Sequence, residues 1–165
     1  LSEKLLDSII KVKSNWIHDG YVMPRLTSYC GKWIHHSGSY PDKKLRLFNK
    51  TKGEWTGSNP HDFYVVRSKD TFLLKGDLLH YSFYTEVQHL EQIEKFASIG
   101  AEVLYRRGKT GGYLHILLSP IVKFLSNYIF HGGFLDGKEG WVISKYSSYE
   151  KFLKYSKLKQ LYRKS

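Results

Sequence analysis

The stretch "HYSFYTEVQHLEQIEKFASIGAEVLYRR", residues 80–107, is where the chain changes character. Thr85 stands where a helix cap belongs. Leu90, Ile93, Phe96, Ala97 and Leu104 then recur on one side of a 3.6-residue period. The spacing predicts an amphipathic helix from Thr85 to about Arg107. Upstream, short strand-like segments alternate with turns; downstream, two more helical segments follow. Strands first and helices after predict an α/β chain, α+β as it stands, with a mixed β-sheet followed by C-terminal helices. The boundary falls near residue 85, giving regions 1–85 and 86–165.

Upstream of that helix, Ser2 to about Lys13 reads as a helix capped by Ser2, with Leu5, Leu6, Ile9 and Ile10 on one face. Tyr21 to Ile34 reads as a strand or bent strand pair, interrupted at Pro24 and Gly31. Lys44 to Phe48 alternates charged and apolar residues, as a half-buried strand does. Asn49 to Asp62 reads as a long loop, and Phe63–Val66 and Phe72–Lys75 as short strands. Downstream, Tyr113–Phe130 is a very apolar helix containing Pro120, and Asp136 to about Tyr162 is a third helix. Leu114–Phe130 is only 17 residues, with Pro120, Lys123, Ser126 and Asn127 inside it. A spanning helix needs about 20 mostly apolar residues, so we do not read it as transmembrane. Two readings stand side by side: a core helix, or an in-plane amphipathic element with Tyr128, Phe130, Phe134 and Trp141 beside lysines.

The net charge of the 165 residues is +11, and residues 106–165 hold 12 Lys and Arg against 3 Asp and Glu. So basic a C-terminal end implies an anionic partner, a membrane face or nucleic acid. No recognition motif of a nucleic-acid module accompanies the charge, and we expect no nucleic acid. The single cysteine, Cys30, excludes an internal disulfide and a Cys-based zinc site. Aromatic residues are 16% of the chain, and Tyr and Trp combine apolar bodies with polar tips that suit sugar platforms. The chain opens on Leu1-Ser2-Glu3 with no initiator Met or signal peptide, so we expect an upstream part.

Candidate chemistry centres on "GEWTGSNPHDFYVV", residues 53–66. Asp62 is a candidate general base and His61 a candidate anion contact; the plainer reading is an Asx turn opening a strand. His80 follows an apolar run and is a candidate for a metal or diphosphate; a buried, hydrogen-bonded His is the plainer alternative. Arg25 and Arg46 sit on strands beside polar loops, where Arg grips phosphate or carboxylate, or forms a surface ion pair. Trp55 and Trp33 are candidate sugar platforms, or core residues.

Taken in order, "DGYVMPRLTSYCGKWIHHSGSYPDKKLRLFNK", "GEWTGSNPHD", "LKGDLLHYSFYT" and "FLDGKEGW" resemble the C-terminal part of family-2 glycosyltransferases, closest to the branch of lipopolysaccharide-core β-glucosyltransferases. The resemblance covers nearly all of residues 1–162. It implies a partial GT-A fold, the acceptor side, with the N-terminal nucleotide-binding half missing. It implies inverting transfer from a nucleotide-sugar donor to a glycan or lipid-linked acceptor in envelope polysaccharide synthesis. A divalent metal, Mg²⁺ or Mn²⁺, is expected, although no Asp-x-Asp occurs in this sequence. By the same resemblance Asp62 is the acceptor-activating base and His80 the metal or diphosphate ligand. Arg25, Arg46 and Trp55 become candidate substrate contacts, with His61 kept as a candidate substrate contact beside Asp62. The basic helices would dock on an anionic membrane surface, placing the protein on the cytoplasmic face of the cell membrane. The alternative from another class is a non-catalytic, basic membrane-surface binding module.

Overall fold

A computed structural model describes residues 1–57 and 62–164. It is of mixed α/β class: one N-terminal helix, then the strands, then the longer helices beyond residue 85. Two compact units interleave in sequence. Leu1–Thr27 and Tyr40–His80 form one, and Ser28–Ser39 joins the residues from Tyr81 onward in the other.

In the first unit, helix α1 (Glu3–Ser14) starts at Ser2, whose hydroxyl accepts from the Leu5 amide at 3.3 Å. The same hydroxyl accepts from the Asp77 amide at 2.8 Å, which ties the helix start to the turn before β7 (Leu78–Phe83). That turn comes so close that a Cβ on Gly76 would strike the Leu5 backbone, and Gly76 has a φ of +96°. Glycine alone meets both demands. Leu5 is fully buried and packs with Tyr21, Met23 and Leu74. Burying such a side chain is worth about 1.5–3 kcal/mol. Strand β1 (Gly20–Tyr29) pairs antiparallel with β3 (Asp42–Phe48) and parallel with β6 (Thr71–Leu73).

The β1–β3 register skips a residue: Tyr21 faces Leu47 while Val22 faces Leu45. Arg46 is therefore the extra residue of a β-bulge, a device that breaks strict alternation and re-aims a side chain. Strands β4 (Gly53–Thr56) and β5 (Phe63–Val66) form a separate two-stranded antiparallel sheet. The sequence reading assigns residues 53–56 to a loop; the strand forms because Gly53 lets β5 approach. A Cβ there would run into the Val65 carbonyl and come within 2.7 Å of the Tyr64 ring.

In the second unit, the end of β1 turns at Cys30-Gly31 into the short β2 (Lys32–Ile34). Helix α2 (Glu86–Arg106) begins in a full capping box: Thr85 takes the Gln88 amide, and the Gln88 side chain takes the Thr85 amide. Helix α4 (Gly137–Lys164) packs against both α2 and α3 (Tyr113–Leu125). Leu158, Ile93, Ala97 and Ala101 are buried in this helical layer. A π-helical turn (Ser126–Phe130) and a 3-10 turn (Gly133–Asp136) connect α3 to α4. The core-helix reading of α3 is wrong, because none of its 13 residues is buried.

Candidate functional site

A cavity of about 470 Å³ opens in the first unit between β3, β4 and the start of β5. Its lining includes Lys43, Lys44, Arg46, Trp55, Asp62 and Tyr64. The β-bulge accounts for the mixed lining, since residues from both faces of β3 reach it. Phe48 and Tyr64 stack at 3.9 Å between ring centroids, and Trp55 stands edge-on to them at 6.2 and 5.7 Å. Trp55 is cross-strand partner to Tyr64, so the hairpin register fixes it. It nevertheless stays 62% exposed. An indole held from one side and open on the other offers a flat apolar surface to a ligand. Asp62, also exposed, immediately precedes β5 and lines the same cavity as Lys43, Lys44 and Arg46.

Three of the residues singled out from sequence, Arg46, Trp55 and Asp62, thus share one cavity. Arg25 and His80 do not line it. They form a neighbouring polar cluster connected to it by Asp42, which pairs with Lys44 at 3.0 Å and also with Arg25. Arg25 Nε is buried and makes no hydrogen bond among the described residues. A guanidinium with an unused donor is suited to a further acceptor atom. His80 lies on β7, where burial lowers its pKa below the usual imidazole value. The Arg25 charge adds to that shift and Asp42 opposes it. Both leading causes favour the neutral ring. His61 lies outside the described residues. Trp33 is part of the second unit, where its ring lies 5.3 Å from that of Tyr81.

A divalent metal needs several oxygen or imidazole ligands around one point. Among the described residues, no group of three or more His, Cys, Asp or Glu side chains converges. His80 has the Arg25 guanidinium nearby, which repels a cation, and of the two charges acting on it only Asp42 would attract one. The described residues do not fit a metal site.

Sequence reasoning missed Asp42, Lys43 and Lys44 as site residues. Their signal is the charged run Asp42-Lys43-Lys44 at the start of β3, which reads equally as a solvated strand end. It also missed Asp136. This buried carboxylate accepts from the His35 and His36 amides at 3.2 and 2.9 Å and lies 3.0 Å from His36 Nδ1. Its carbonyl takes Lys32 Nζ at 2.6 Å. Asp136 therefore anchors the loop after β2 and is structural.

Two curated relatives, from Rickettsia typhi (strain ATCC VR-144 / Wilmington) and Rickettsia prowazekii (strain Madrid E), are each 28% identical over 177 residues. Both are named uncharacterized glycosyltransferases. The match covers 100% of this chain, which spans 60% of the length of each relative. No protein-family model matches the chain, and no solved structure does.

Proposed function

We propose that this chain is the acceptor-side part of a glycosyltransferase, an inverting enzyme of family 2 with a GT-A fold. It takes a sugar from a nucleotide-sugar donor to a glycan or lipid-linked acceptor of the cell envelope. The carrying observation is the shared cavity of Asp62, Trp55 and Arg46. Similarity to proteins named glycosyltransferases supports the reaction class, and the order of the sequence motifs supports the family.

In this reading the acceptor sugar stacks on Trp55, and Lys43, Lys44 and Arg46 hold its hydroxyl, carboxylate or phosphate groups. The Asp62 carboxylate takes the proton of the attacking hydroxyl. A new bond forms between that oxygen and the anomeric carbon, on the face opposite the leaving group. The old bond to the nucleoside diphosphate breaks and its electron pair leaves with the diphosphate. The Asp62 carboxylate acts at the transition state, where the hydroxyl proton becomes acidic, so its loss lowers kcat. Among the described residues the divalent metal expected from the resemblance finds no group of three ligands, and no step here runs through it.

The test is sugar transfer to an envelope glycolipid extract by the protein that carries this chain. Asp62→Asn is expected to lower kcat by about 10²–10⁴-fold with the acceptor KM little changed. Full turnover by a folded Asp62→Asn protein would remove Asp62 from the reaction.

A further inference from the structure

Helix α3 is turned inside out for a protein in water. Leu114, Leu117, Leu118, Ile121, Val122 and Leu125 recur at helical spacing and form one stripe. That stripe faces outward, each side chain being 39–70% exposed. Lys123, half a turn round the helix, is half-buried on the α4 side, where burial and the Lys151 charge lower its pKa. The apolar surface continues past α3 through Ile129 and Phe130 and into Phe134 and Leu135, all exposed. An amphipathic helix packed on a water-soluble domain presents the opposite arrangement. A contiguous face of this size marks a contact with an apolar medium or partner.

Lysines border the stripe on both sides. A groove of about 420 Å³ between α3 and α4 has Leu114, Leu118 and Val122 with Ser119, Lys123 and Lys151. On the other side a groove of about 620 Å³ holds Leu117, Pro120 and Lys145. Lys154, crowded by Lys151, has its pKa pulled down to about 8, by burial first and then by the Lys151 charge, with Glu150 opposing. Crowded ammonium groups at the rim of an apolar face complement the phosphates of an anionic headgroup layer.

We propose that the outward face of α3 seats this chain in the plane of an anionic phospholipid bilayer, with its leucine and isoleucine stripe at the acyl boundary and Lys123, Lys145 and Lys151 at phosphate level. This does not rest on the glycosyl-transfer reading. Residues 113–130 are long and apolar enough, by length and composition, to cross a membrane. The packing of α4 decides against spanning. Ser148 bonds the Pro120 carbonyl at 2.7 Å, the Tyr155 ring lies 5.4 Å from that of His115, and Trp141 lies 5.0 Å from Phe124. The two helices run side by side and antiparallel, so inserting α3 would drag Lys145, Lys151 and Lys154 into hydrocarbon. Each costs about 2.5–3.5 kcal/mol at the bilayer centre. Lying in the interface wets the lysines and buries the stripe.

The test is co-sedimentation of this chain with vesicles of phosphatidylcholine alone and of phosphatidylcholine with phosphatidylglycerol in about equal parts. We expect binding to the anionic vesicles, weakened by salt. Lys145→Gln and Lys151→Gln are each expected to weaken it about fivefold. The pair Leu118→Ser and Ile121→Ser is expected to weaken it at least about tenfold, with the thermal melt unchanged. Leu114→Ser with Leu125→Ser serves as the second variant should the first melt differently. Absence of binding to anionic vesicles, or binding indifferent to both serine pairs, overturns the proposal. So does a lipid-free dimer that the serine variants dissociate, which assigns the face to a second copy. Retention on vesicles after an alkaline carbonate wash overturns in-plane seating.

Discussion

The β4–β5 hairpin and helix α3 both expose large apolar side chains, yet they do so differently. On the hairpin, Trp55 and Phe63 are exposed among Lys43, Lys44, Arg46 and Asp62, and Trp55 is braced from behind by Phe48 and Tyr64. On α3 the exposed residues form an unbroken stripe, with the lysines set at its edges. An isolated aromatic among charges suits a small, polar, flat ligand such as a sugar. A continuous apolar stripe with a basic border suits an extended surface. Exposure alone does not separate these cases; the neighbours do.

One substitution made in two places breaks or sharpens the contrast. Leu5→Ala removes a fully buried side chain from the core of the cavity-bearing unit. It is expected to cost about 2–5 kcal/mol. Leu118→Ala removes the same atoms from the outward stripe, where the side chain is 53% exposed. In lipid-free buffer it should change stability by less than about 0.5 kcal/mol. Urea melts of the two variants measure both values. Equal losses would mean that Leu118 is packed and that the stripe is not free.

A smaller effect is expected with pH. His89 sits against Phe83 and Tyr146, with Nδ1 at 3.0 Å from the Tyr29 hydroxyl. Burial lowers its pKa from 6.5 to about 4, with Glu86 opposing. Between these values the unfolded chain binds a proton that the folded chain does not. The stability is therefore present above pH 6.5 and lost as pH falls toward 4. The ring is partly solvated, so the loss is on the order of 1–2 kcal/mol. His89→Gln should flatten that part of the stability-against-pH curve, and an unchanged slope would remove His89 from it. Smaller again is Thr85→Ala, which takes one member from the α2 capping box and should cost about 1 kcal/mol in a thermal melt.

How legible the molecule is in its sequence depends on the kind of signal. Helices α1 and α2 carry caps and a 3.6-residue stripe, and both form with Ser2 and Thr85 as their caps. Strand β4 carries no alternation; it exists because Gly53 permits a close approach by a strand about ten residues further on, and a Gly-rich segment reads as a loop. The cavity was half legible. Arg46, Trp55 and Asp62 stand out by residue type, but the bulge that gathers Lys43 and Lys44 with them depends on pairing with β1. Periodicity finds the stripe on α3 and says nothing of the medium it faces. That follows from α4, which takes the Lys123 side of the helix and leaves the leucines outside.

The central claim is that the Trp55 cavity holds an acceptor sugar, and saturation-transfer NMR on this chain tests it most directly. The probe is an envelope-core oligosaccharide bearing carboxylate or phosphate groups, with no donor present. We predict transfer of saturation to the sugar protons, abolished by Trp55→Ala and weakened by Arg46→Ala. Absence of transfer to the oligosaccharide, or transfer indifferent to Trp55→Ala, would contradict the claim.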